Sequence, residues 1–106
     1  MRQGFFSEHW KDTSGNPAGG CTTGIGFTIS WQNGPLGRGE DRREPNGAFV
    51  EDIIFAAIER IRFYQQSPFA CKENADALFF LNEAVKRLDD RTKSRESRLV
   101  EGTHQK

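Results

Sequence analysis

Two runs of apolar residues at three- and four-residue steps dominate the second half of the sequence. Val50, Ile53, Ile54, Ala57, Ile58 and Ile61 form the first, and Ala70, Ala77, Leu78, Leu81, Ala84, Val85 and Leu88 the second. That spacing is the period of an amphipathic helix. Between the runs, Gln65-Gln66-Ser67-Pro68 breaks the pattern. Ser67 followed by Pro68 predicts an N-cap and first-turn pair for the second helix. Asn46 is expected to cap the first, and Glu51 and Asp52 suit the positive end of its dipole. The second helix is expected to run to about Arg98, with Gly102 as its latest end. A short link between two helices favours an antiparallel hairpin.

Upstream, Ile25, Phe27, Ile29 and Trp31 alternate with Gly26, Thr28 and Ser30, the period of a half-buried strand. Gln32-Asn33-Gly34-Pro35 ends it with turn chemistry. Residues 36–45 read as a charged loop, and residues 1–23 as a weakly ordered, turn-rich lead. The expected fold class is α+β: a short N-terminal antiparallel β-sheet plus a long antiparallel two-helix hairpin, oligomeric. The expected organisation is a variable segment over 1–23 and one domain over 24–106, with strands in 24–45 and the hairpin in 46–100.

The apolar supply is thin for this fold. Hydrophobic residues make up 35% of 106 residues, and small domains bury a smaller share of their surface. Phe55, Phe63, Phe79 and Phe80 also fall off the main stripes, where a hairpin and a strand cannot cover them all. Subunit contacts are the expected explanation. Fifteen basic residues balance fifteen acidic ones, unlike the basic footprint of a general nucleic-acid binder. Duplex DNA is therefore not an expected partner. The longest apolar run, Ile53 to Ile58, is far too short to span a membrane. The sequence shows no charged start leading into an apolar stretch, so the expected compartment is the cytoplasm, with Cys21 and Cys71 reduced.

The polar residues offer a binding site more readily than a catalytic one. On a helix, Arg87, Arg91, Arg95 and Arg98 fall within an arc of about 80° along roughly 16 Å. A planar guanidinium can give phosphate two parallel hydrogen bonds. By charge pattern alone, a solvated cationic helix end is the plainer explanation. Phe63 and Tyr64, near the interhelical turn, could stack on a base or simply pack the hairpin. Asn74, early in the second helix, could read a polar ligand edge or bond local backbone. It lies on a different face from the arginines, so a shared pocket requires either two chains or hairpin packing to unite them. No HExxH, CxxC, P-loop or Gly-x-Ser-x-Gly occurs, and Cys21, Cys71, His9 and His104 lack metal-ligand spacing. Neither a metal nor a cofactor is expected, and no catalytic residue is assigned.

The stretch "SPFACKENADALFFLNEAVKRLDDRTKSRESRLVEGTH" resembles the C-terminal helical hairpin of the phage Thoeris anti-defence proteins of the first type. "FACKENA", the "RT-x-x-R-E" helix end and the closing "VEGTH" carry most of the resemblance, and "ISWQNGP" is similar to the family's strand and turn. It covers roughly residues 24–104 and leaves residues 1–23 aside.

The resemblance implies a non-enzymatic sponge acting in the cytoplasm of the infected bacterial host. Such proteins hold the cyclic ADP-ribose isomers made by TIR-domain enzymes, glyco-cyclic ADP-ribose among them, and so block Thoeris immunity. They are built from dimers and assemble into hexamers. They also take up CBASS cyclic di- or trinucleotides at separate sites, for which Arg42 and Arg43 are candidates here. Carried over by residue, the phosphate clamp matches Arg91 and Arg95, the polar contact matches Asn74, and the stacking ring matches Tyr64 or its neighbour Phe63. Arg87 and Arg98 remain candidates from geometry only. The rival readings are an enzyme degrading the same signals, and a small helical nucleic-acid or protein-interaction module.

Overall fold

A computed structural model describes residues 3–98 and 102–104. Residues 3–49 with 102–104 form one compact unit, and Val50–Arg98 form another. The order of elements is three strands, a short 3-10 turn at Gly39–Asp41 and two α-helices. An antiparallel sheet and a helical hairpin are thus both present, in the α+β class expected.

The first unit is a meander of β1 (Phe6–Lys11), β2 (Pro17–Gly24) and β3 (Phe27–Trp31), paired antiparallel in that order. Phe6 lies opposite Thr23, and Thr22 opposite Ile29. Two of these strands fall where a weakly ordered lead was expected. The glycines that suggested a linker serve the pairing instead. A Cβ at Gly20 would collide with the Glu8 carbonyl oxygen across the β1–β2 pair. Ile25, expected on the apolar face of a strand, sits in the two-residue turn joining β2 to β3 and is 83% exposed. Gly26 beside it takes φ 88°, which reverses the chain at little steric cost.

Buried Thr22 ties the sheet together: its Oγ1 accepts from Trp31 Nε1 at 2.9 Å and bonds Ser7 Oγ at 3.0 Å. Asn46 does not cap a helix. Its Oδ1 accepts the Asn33 N–H at 2.8 Å, its Nδ2 donates to Asn33 O at 3.0 Å, and its own N–H donates to Gln32 Oε1 at 2.9 Å. Ala48 then bridges to the end of β3. Gly47 makes this possible, since a Cβ there would lie 2.5 Å from the Trp31 carbonyl carbon and oxygen.

The second unit is the hairpin of α1 (Val50–Gln65) and α2 (Lys72–Ser97), which pack on each other. Ile58 is the fully buried apolar side chain of the described residues. Ile53, Ile54, Ile61, Ala77, Leu78, Leu81, Ala84, Val85 and Leu88 around the same seam are half-buried, whereas Val50 and Ala57 are exposed. Ser67 and Pro68 do not start α2, whose N-cap is Cys71. Ser67 instead closes the turn: its hydroxyl donates to Tyr64 O and accepts the Phe69 N–H. α2 stops at Ser97, with the Arg98 N–H donating to Ser94 O at 3.2 Å. Val100 and Glu101 of the closing motif lie outside the described residues.

Candidate functional site

Two polar groupings occupy opposite ends of the hairpin. The first surrounds the turn. Phe63 and Tyr64 end α1 with ring centroids 6.2 Å apart and a tilt of 52°, and both rings are exposed. Arg60, one turn earlier, lies 5.0 Å from the Phe63 ring centroid and 5.1 Å from that of Tyr64. Its Nε donates to the Tyr64 hydroxyl at 3.2 Å. Asn74 stands in the first turn of α2, half-buried, with Nδ2 3.4 Å from Phe69 O. That long bond is the local contact expected of a helix-start residue, and among the described residues nothing bonds its Oδ1. A flat ring face and an amide oxygen at one helix turn can take a base and one of its exocyclic donors.

Gln65 fixes the geometry of this end. Its Oε1 accepts the Cys71 N–H and its Nε2 donates to the Cys71 carbonyl, spanning the whole connection between the helices.

The second grouping is the arginine stripe on the last turns of α2. Arg91 and Arg95 are four residues apart on one face, about 6 Å along the axis. Arg95 is half-buried, and Arg87, Arg91 and Arg98 are exposed. Guanidinium groups from one helix face can each give a phosphate two parallel hydrogen bonds.

One chain does not unite the groupings. Asn74 and Arg91 lie on the same helix about 26 Å apart along its axis. Hairpin packing cannot close that gap, because Phe63 and Tyr64 sit at the Asn74 end.

Residue reasoning missed Arg60 and Gln65. Arg60 was legible in principle, since i to i+3 and i+4 places a cation beside two rings. Gln65 carried no such signal, as an amide reaching across a turn depends on the turn's shape. In the first unit, Arg42 Nη1 donates to Gly37 O at 3.2 Å within the loop that also holds Arg43. His9 lies on β1, and His104 Nε2 stands 4.0 Å from Asp12 Oδ2. Among the described residues, no group of His, Cys, Asp or Glu is placed to hold a metal ion, and no helix is long and apolar enough to cross a membrane.

No protein-family model matches the chain. The chain is similar to a protein of Bacillus phage SBSphiJ7 named Thoeris anti-defense 1, with 43% identity over 79 residues. The match covers 74% of this chain and 53% of that protein, so the chain spans about half the length of its relative.

Proposed function

We propose, for a chain that belongs through its 79 matched residues to the Thoeris anti-defense 1 family, that it counters bacterial anti-phage defence by sequestering a nucleotide signal. The ligand class is a cyclic ADP-ribose, with glyco-cyclic ADP-ribose as the leading member. Kinship at 43% identity carries the reading, and the chemistry of the hairpin supports it. Such a ligand offers a base to stack and a pyrophosphate to clamp. Tyr64 or Phe63 supplies the ring, Asn74 the polar contact, and Arg91 with Arg95 the clamp. Arg87 and Arg98 flank the clamp on the same helix end.

The separation of about 26 Å between Asn74 and Arg91 favours a site built from two chains, because neither end of one hairpin reaches the other. The exposed Phe55, Phe79 and Phe80, at 50%, 61% and 68%, are apolar surface that a second copy would cover. A dimer-based oligomer follows from this reading, and the family resemblance extends it to a hexamer. Enclosure between subunits would desolvate the pyrophosphate and strengthen its charged hydrogen bonds. Binding of this kind needs no nucleophile or general base. Cyclic di- or trinucleotides would occupy separate sites, with Arg42 and Arg43 as candidates, and the protein would act in the cytoplasm of the infected host.

The deciding experiment incubates the protein with glyco-cyclic ADP-ribose, removes free ligand, and denatures the complex by heat. Release of intact ligand is the expected result. A cleaved product would convert the protein into an enzyme, and no retained ligand at all would remove the sponge.

A further inference from the structure

The cluster of Arg60 with Phe63 and Tyr64 has an asymmetry that assigns Arg60 a task. Arg62, two residues along, has a carboxylate partner, Glu59, at 3.1 Å. Among the described residues no carboxylate pairs with Arg60. Its guanidinium is instead spread against the two rings at 5.0 and 5.1 Å, and its Nε–H donates to the Tyr64 hydroxyl at 3.2 Å. The phenol bond and the cation–ring contact act on the same side chain from the preceding helical turn. Together they restrict rotation of the Tyr64 ring, which would otherwise be loose on an exposed helix end. Tyr64 nevertheless stays 39% exposed, so ring surface remains for a planar group.

We infer that Arg60 is a positioning residue for ligand stacking: it holds the Tyr64 ring in its binding orientation before the ligand arrives. The inference rests on the proposed function, in which Tyr64 stacks on the base. Its physical basis is that a ring ordered in advance costs less to immobilise on binding. The requirement is directional. Only a side chain with a donor on its stem and a flat cation at its end meets both the hydroxyl and the ring.

The test uses the full chain and the fact that Tyr64 is its single tyrosine. 3-Fluorotyrosine incorporation then gives one fluorine resonance, reporting ring mobility without ligand. Affinity for glyco-cyclic ADP-ribose is measured by calorimetry on the wild type, Arg60→Gln and Arg60→Lys, with helicity checked by circular dichroism. The expected result for Arg60→Gln is a loss of about fivefold in affinity, the scale of one exposed cation–ring contact and one hydrogen bond. Its fluorine resonance should shift toward that of free fluorotyrosine. Arg60→Lys, which keeps the charge and loses the Nε donor, should not restore affinity. Full rescue by lysine would mean that charge alone matters and would overturn the inference. An unchanged resonance or unchanged affinity in Arg60→Gln would overturn it as well, leaving the proposed function standing. Failure of the wild type to bind would overturn both.

Discussion

Gln65 grips Cys71 with both ends of one amide: Oε1 accepts the Cys71 N–H at 3.0 Å, and Nε2 donates to the Cys71 carbonyl at 3.1 Å. Cys71 is the N-cap of α2 and offers no side-chain cap of its own. The end of one helix therefore sets where the next begins. Removing the amide by Gln65→Ala is expected to destabilise the hairpin by about 1–2 kcal/mol, two partly exposed hydrogen bonds' worth. Urea unfolding followed by circular dichroism at 222 nm checks this. A midpoint unchanged at equal slope would mean that the turn is held by its own backbone.

The proposed ligand site across two chains makes a complementation prediction. Asn74→Ala and the double variant Arg91→Ala/Arg95→Ala should each lose most affinity for glyco-cyclic ADP-ribose, the arginine pair by about 100-fold or more. Mixed after brief unfolding and joint refolding, the two should regain wild-type affinity in a fraction of sites. In a mixed dimer one site carries every substitution and the other carries none. Calorimetry of the mixture giving no tight sites, with mixed dimers confirmed by native mass spectrometry, would place both half-sites on one chain.

Asp12 supplies a pH prediction. Its Oδ1 accepts the N–H groups of Asn16 and Ser14, both at 2.9 Å. Chiefly through the Asn16 backbone bond, and then through Ser14 and nearby His104, its carboxyl is held below the ordinary aspartate value. A depressed folded-state value means that the turn's stabilisation is complete above the ordinary carboxylate range. It is lost as pH falls through the lower, folded value. The amide resonances of Ser14 and Asn16 should therefore titrate below the usual aspartate midpoint, and Asp12→Asn should abolish that transition. A midpoint at or above the usual value would show that these bonds do not favour the ionised form.

The helices were legible because burial of one face imposes a period, and Ile58, Leu78, Leu81 and Val85 obey it. The helix starts were not. Asn46 and Ser67 have the right chemistry for caps, but bonds to Gln32, Asn33, Tyr64 and Phe69 use it elsewhere. β1 and β2 escaped notice because β1 is exposed throughout and β2 buries Gly19 and Gly20, leaving no apolar alternation to read. Ile25 misled for the opposite reason. It continues an alternation straight through a turn that Gly26 makes. At the site, the shared face of Arg91 and Arg95 follows from helical spacing alone. The Arg60 contacts depend on rotamers, and the Gln65 grip on the shape of a loop, which periodicity does not encode.

Helix α2 has 26 residues and α1 has 16, so α2 outruns its partner from the turn by about 15 Å. Arg91 and Arg95, the proposed clamp, ride on that overhang, while Phe63 and Tyr64 stay at the fold-back. If the protein captures its ligand as proposed, a device divided in this way would be inactive until it met another copy. Its potency would then scale with the square of its abundance while dimers are scarce, and linearly once they are not. Early in an infection, the speed of synthesis would decide whether the signal is mopped up at all.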